Sequence, residues 1–163
     1  MTKSPNLLPT IDFAVGIQRL PEVTFRTKNT TIPDISSSPV KQHTMFNPVN
    51  VGGDHVEFSP LDITFLVDED MKNYISIFDW LTKLNFNKSS SQYSELQGSE
   101  FGLYSDINIT ILNSNKRPNM SFDFINCFPI SLSSINLDIS QESVEYAEVT
   151  ATFSYDNFSM KKL

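Results

Sequence analysis

The chain has 163 residues, a net charge of −7, 13 Phe, 5 Tyr and one cysteine. That length suits one domain with a real core, and the 39% hydrophobic content is that of a globular protein rather than a disordered one. The charge has the wrong sign for gripping nucleic acid through its phosphates, the lone Cys127 excludes an internal disulfide, and no apolar run reaches membrane-spanning length.

The first segment, Met1 to Asn6, lacks the apolar core of a signal peptide, which points to synthesis in the cytosol. Ile11, Phe13, Val15 and Ile17 then alternate with Asp12, Ala14, Gly16 and Gln18, the pattern of a half-buried strand. Val23, Phe25 and Thr27 alternate in turn, and Leu20-Pro21-Glu22 is the expected turn of a hairpin between the two runs. Residues 29–53 hold three prolines, a Ser36-Ser37-Ser38 run and Gly52-Gly53, and read as an extended loop too long for a passive connection. Strand pattern resumes from Val56 to Val67, with Pro60 confined to a bulge or an edge because it has no N–H to donate.

Asp68-Glu69-Asp70 is expected to open a helix over 70–84, acidic side chains being favoured at the positive end of the helix dipole. Met71, Tyr74, Ile75, Phe78, Leu81 and Thr82 fall on one face at helical spacing, so this face is expected to meet the sheet, with Phe78 buried. Residues 85–105 are polar and read as a second long loop. Alternation then marks strands around Ile107–Ile111 and Met120–Phe124, the latter ended by Pro129. Two more are marked at Ile135, Leu137 and Ile139 and, last, at Val149, Ala151, Phe153 and Tyr155. About seven strands and one helix predict a mainly β, α+β fold: a mostly antiparallel sheet with one flanking helix and long loops, in a single domain over 1–163.

Chemistry is sparse. His43 and His55 stand alone, and HExxH, CxxC, GxSxG and phosphate-loop patterns are absent from the sequence, so no catalytic role, cofactor or metal is expected. Asp68-Glu69-Asp70 is explained by a helix start before a metal site, and Cys127 by a core position before a nucleophile. Gly52-Gly53 is too short for a phosphate cradle.

Two stretches resemble the tail-tube proteins of contractile-tailed phages. One runs from Asn50-Val51-Gly52-Gly53-Asp54 through Leu61-Asp62-Ile63-Thr64-Phe65 to Phe78-Asp79-Trp80; the other runs from Phe128-Pro129-Ile130 through Leu137-Asp138-Ile139 to Glu148–Asp156. The resemblance covers Thr10 to Asp156 in the same order, and the family is related to secretion-system tube proteins. It implies a tail-tube-type β-barrel: hexameric rings in which each subunit lends strands to a closed barrel around a lumen, stacked into the inner tube of a virion tail after assembly in the host cytoplasm. Its implied partners are further copies of the chain, the tail sheath protein and tube-like proteins of the baseplate or neck, with DNA passing through without specific binding. Tube initiators at the baseplate and caps at the neck share the fold and are the alternative to the main tube subunit. From another class, the alternative is a stand-alone β-sandwich binding module.

Within that frame, residues 29–53 are expected to form a hairpin-like arm that covers Ile32, Ile35, Val40, Met45 and Phe46 against a neighbouring subunit. The polar positions Asp12, Gln18, Asp62, Thr64, Thr150, Thr152 and Ser154 are candidates for the wall of the lumen, where negative or neutral side chains let DNA slide.

Overall fold

The computed structural model describes residues 8, 12–24, 26–43, 47–53, 55–85, 94, 97–98, 102–137, 140 and 146–163. Among them are the strands β1 (Phe13–Ile17), β2 (Thr27–Thr31), β3 (Ile35–Ser36), β4 (Val40–Gln42), β5 (Val49–Val51), β6 (Glu57–Phe58), β7 (Leu61–Leu66), β8 (Ser105–Leu112), β9 (Pro118–Leu132), β10 (Glu148–Ser154) and β11 (Asn157–Lys162). The helical turn α1 (Pro21–Thr24) follows β1, and helix α2 (Lys72–Leu84) follows β7.

The main sheet runs β1-β8-β9-β10-β7-β2, with β11 also on β9. Every pair is antiparallel, and register turns the alternation of single strands into one shared apolar face. Val15 and Ile17 lie opposite Ile109 and Ile107, which lie opposite Phe122 and Phe124. Across the sheet, Val149, Ala151 and Phe153 lie opposite Phe65, Ile63 and Leu61. All of these side chains are buried. At about 1.5–3 kcal/mol for each large apolar side chain removed from water, this face is the main source of stability.

Strand β9 carries the sheet round a corner. Its first part pairs with β8 and β11, its last part with β10. The bend falls at Asn126, whose φ of 57° is left-handed, a conformation Asn tolerates better than most residues. Its backbone N–H donates to the Asp106 carboxylate at 3.1 Å and its side-chain amide to Asp156 at 2.7 Å. Pro129, expected to end this strand, lies inside it. It sits opposite Phe153, beside a register shift between Thr152 and Phe153, where an irregular ladder tolerates its missing N–H.

Other expectations are corrected. Strands β1 and β2 do not form a hairpin: β1 pairs with β8 and β2 with β7. Pro21 opens the helical turn α1, a position where its fixed φ fits and its absent N–H costs nothing, and the turn drives Val23 fully into the core. Ile135 and Leu137 are not in a strand, and Ile139 lies outside the described residues. The closing strand is β11, not β10.

Helix α2 also turns a different face to the sheet. Asn73, Ile77 and Trp80 are buried, whereas Ile75 is 49% and Phe78 46% exposed. The helix begins after Met71, without a side-chain cap. Asn73 takes over the junction instead: its Oδ1 accepts from the N–H groups of Asp68 and Tyr74, and its Nδ2 donates to the carbonyl of Leu66 at 2.8 Å. A buried Asn so satisfied is a tether between β7 and α2.

Candidate assembly surface

The chain between β2 and β7 leaves the sheet as nested ribbons. Ile35 pairs with Phe58, and further out Val40 pairs with Val51 and Gln42 with Val49. The expected hairpin-like shape of residues 29–53 is therefore present. All described residues from Asp34 to Val51 are exposed. Alternation puts Val40, Val49 and Val51 on one side of the ribbon, each roughly half exposed, with Lys41 and Asn50 on the other. Ile32 and Ile35 are exposed near the root, while Met45 and Phe46 lie outside the described residues. The two legs touch at Gly53, where an added Cβ would lie 2.1 Å from the carbonyl oxygen of Ser38.

The root is clasped to the body by aromatic rings. Phe58 meets Phe158 edge-on at 5.5 Å and Tyr155 at 6.3 Å, and both of those rings pack on Phe124. The Tyr155 hydroxyl donates to the carbonyl of Ser59 at 2.8 Å. The root of the arm is thus anchored to the β10–β11 corner. Burial pushes the Tyr155 phenol above its usual pKa, with a smaller contribution from Cys127.

Of the candidate wall residues, Asp62, Thr64, Thr150 and Thr152 come together on the face of β7 and β10 turned away from the core. The Thr64 and Thr150 hydroxyls are 2.9 Å apart, and Thr152 donates to Asp62 at 2.7 Å. Lys28 pairs with Glu148 at the border of this patch. Ser154 is half-buried on the same side of β10. Asp12 and Gln18 are not part of this cluster; they flank the two ends of β1, at the far edge of the sheet.

Between the two outermost strands lies an apolar groove of about 290 Å³. Phe13 on β1 and Thr30, Thr31 and Ile32 on and after β2 form its sides, Leu8 and Asp12 lie at its rim, and the core residues Ile109 and Ile111 line it too. Among the described residues β1 pairs only with β8 and β2 only with β7, so the sheet stays open along this seam. Only the apolar spacing of Phe13 hinted at it; a groove made by residues distant in sequence has no local signal.

The remaining candidates for chemistry have structural surroundings. Cys127 is buried, and desolvation pushes its thiol up to about 12. Asp68 pairs with Arg26, and Asp70 with Lys72 at 2.9 Å. Arg19 lies over the Trp80 ring at 5.0 Å and donates to the carbonyl of Gly102 at 2.7 Å, while Trp80 Nε1 donates to Leu103. Burial lowers the Arg19 pKa. His43 and His55 are exposed. Among the described residues no group of three or more His, Cys, Asp or Glu is placed to hold a metal ion.

The surface features are therefore an anchored arm, a polar sheet face and an open seam, and known proteins share the frame that carries them. The chain is 26% identical over 107 residues to the tail tube terminator protein of Enterobacteria phage T4, covering 65% of this chain and 58% of that protein. It thus spans somewhat over half of that relative's length. Among solved structures, the tube-terminating cap of the anti-feeding prophage superposes with a TM-score of 0.68 at 17% identity, over 100% of this chain and 96% of the cap chain. The sheath/tube terminator structure of an extracellular contractile injection system gives 0.66 at 17% identity, over 98% of this chain and 99% of the other. Residues 9–161 match the family described as phage tail tube protein, and the chain belongs to that family.

Proposed function

We propose that this chain is a structural subunit that closes the end of the tube in a contractile phage tail, as a ring seated on the last tube ring. The observation that carries this reading is the sequence match to the T4 tail tube terminator protein. The resemblance to tail-tube proteins puts the main tube subunit first; the terminator match favours the neck-cap alternative over it. A shared fold at 17% identity does not separate the two roles.

The physical features suit such a subunit. Exposed sheet edges call for pairing between subunits, because an unpaired edge invites uncontrolled association. The arm offers exposed valines to a neighbour. The hydrogen-bonded Thr and Asp patch of β7 and β10 is the wall candidate: short, self-satisfied side chains in a protein of charge −7 leave passing phosphates little to hold. Tube and sheath proteins are the partners this reading assigns, and the virion tail is the location.

Negative-stain microscopy of the purified chain, alone and mixed with tube fragments, tests it. Single rings that cap the tubes are expected. Long tubes grown from the chain alone would return it to the main tube role, and a lasting monomer would defeat both.

A further inference from the structure

We infer that the seam between β1 and β2 is a receptor slot, and that its occupant is the apolar side of the arm from the next copy around the ring. This rests on the ring proposed above and names the contact that would close it.

The slot has room for an occupant from outside its own strands. Both flanking strands leave one backbone edge unpaired among the described residues, and the groove between them reaches core residues Ile109 and Ile111. An apolar side chain seated in this groove of about 290 Å³ would be removed from water against Phe13, Ile109 and Ile111. Among the described residues, the ribbon side with Val40, Val49 and Val51 offers apolar side chains that its own body leaves exposed. The arm departs from Ile32, which itself lines the groove. From Thr31 to Gln42 it can span at most roughly 35 Å, enough to reach a neighbouring subunit.

Charge agrees. From Ile35 to Gly53 the chain carries Lys41 and His43 and no carboxylate, although the whole protein is at −7. The groove rim carries Asp12. An arm without acidic groups meets no like-charge repulsion from an acidic body. Arm on one side and slot on the other is a heterologous contact, the kind a cyclic ring requires.

The test is cross-linking of the full chain. Ile32→Cys at the groove is combined in turn with Val40→Cys, Val49→Cys or Val51→Cys on the arm; buried Cys127 does not compete under mild oxidation. A disulfide needs Cα atoms within about 4.4–6.8 Å, so only a seated arm reacts. At least one pair is expected to give a ladder of cross-linked oligomers that ends at the ring size. A control with Ile75→Cys on α2 in place of Ile32→Cys is expected to give none. Rings visible by microscopy without a ladder would overturn this inference and leave the cap reading standing; no rings and no ladder would overturn both. A ladder of equal strength from the α2 control, or a disulfide from Ser4→Cys to Ile32→Cys within one chain, would also overturn it. The latter would show that the chain's own first segment fills the slot.

Discussion

Replacing Ile77 by Ala and, separately, Phe78 by Ala distinguishes the two faces of α2. Ile77 is fully buried and Phe78 is 46% exposed, although they are neighbours of similar hydrophobicity. Truncating a buried Ile loses the transfer energy of the deleted groups and leaves a cavity, together about 2–5 kcal/mol; for a site sealed between helix and sheet about 3 kcal/mol is expected. The Phe78 ring keeps much of its water contact when folded, so its loss is expected to cost under about 1 kcal/mol. Urea unfolding at equal, low protein concentration keeps ring association from adding to either value. With a slope of about 2 kcal/mol per M, the Ile77→Ala midpoint falls by roughly 1.5 M and that of Phe78→Ala by under about 0.5 M. Equal losses, or a larger one at Phe78, would mean that α2 packs through the face its apolar spacing first suggests.

Gly53→Ala forces a Cβ to within 2.1 Å of a backbone oxygen of Ser38, so it is expected to splay the arm and abolish ring assembly while thermal unfolding of the body is unchanged; intact rings would contradict the tight contact. Tyr155→Phe removes the hydrogen bond to Ser59 and is expected to cost about 1 kcal/mol in urea unfolding and to make the arm root more open to proteolysis. Cys127 has a thiol raised from 9.0 to about 12, so the folded state favours the neutral form: that stability is complete below pH 9 and falls by about 1.4 kcal/mol per unit as pH rises toward 12. Cys127→Ala is expected to flatten that alkaline decline, and prompt reaction of the native thiol with a disulfide reagent at pH 8 would refute the burial. Asp62→Lys with Thr152→Lys, placed on the proposed wall, is expected to slow DNA ejection at low salt; unchanged ejection would argue that this face does not line the channel.

Alternation was readable wherever one face of a strand meets the core and the other meets water, as in Ile107–Ile111 or Val149–Phe153. What it could not carry was partnership. Val15 and Val23 both belong to the core, yet one sits in a strand paired far along the chain and the other in a helical turn begun by Pro21. On α2, apolar residues occupy both sides, and the side that is buried includes Asn73, a residue no hydrophobic count would choose; three hydrogen bonds make its burial affordable. Strand β11 escaped notice because Phe158 and Met160 are its only apolar pair and Lys161-Lys162 follow. The arm was legible from its prolines and length. The seam was not, since Phe13, Ile32 and Ile111 become neighbours only after the sheet has formed.

The corner at Asn126 has a mechanical consequence. The chain running from β10 into β11 turns at Tyr155 and Asp156, beside the turn of β9, and the amide of Asn126 holds the carboxylate of Asp156 across the two. The paired strands therefore crease together. Tension drawn along β11 loads the β9 ladder from Ile125 to Met120 in shear, so its hydrogen bonds must yield nearly at once. A pull at right angles to the strand would instead open them one after another, like a zip. A subunit that must stay seated while a tail contracts around it would gain from taking its load along that strand.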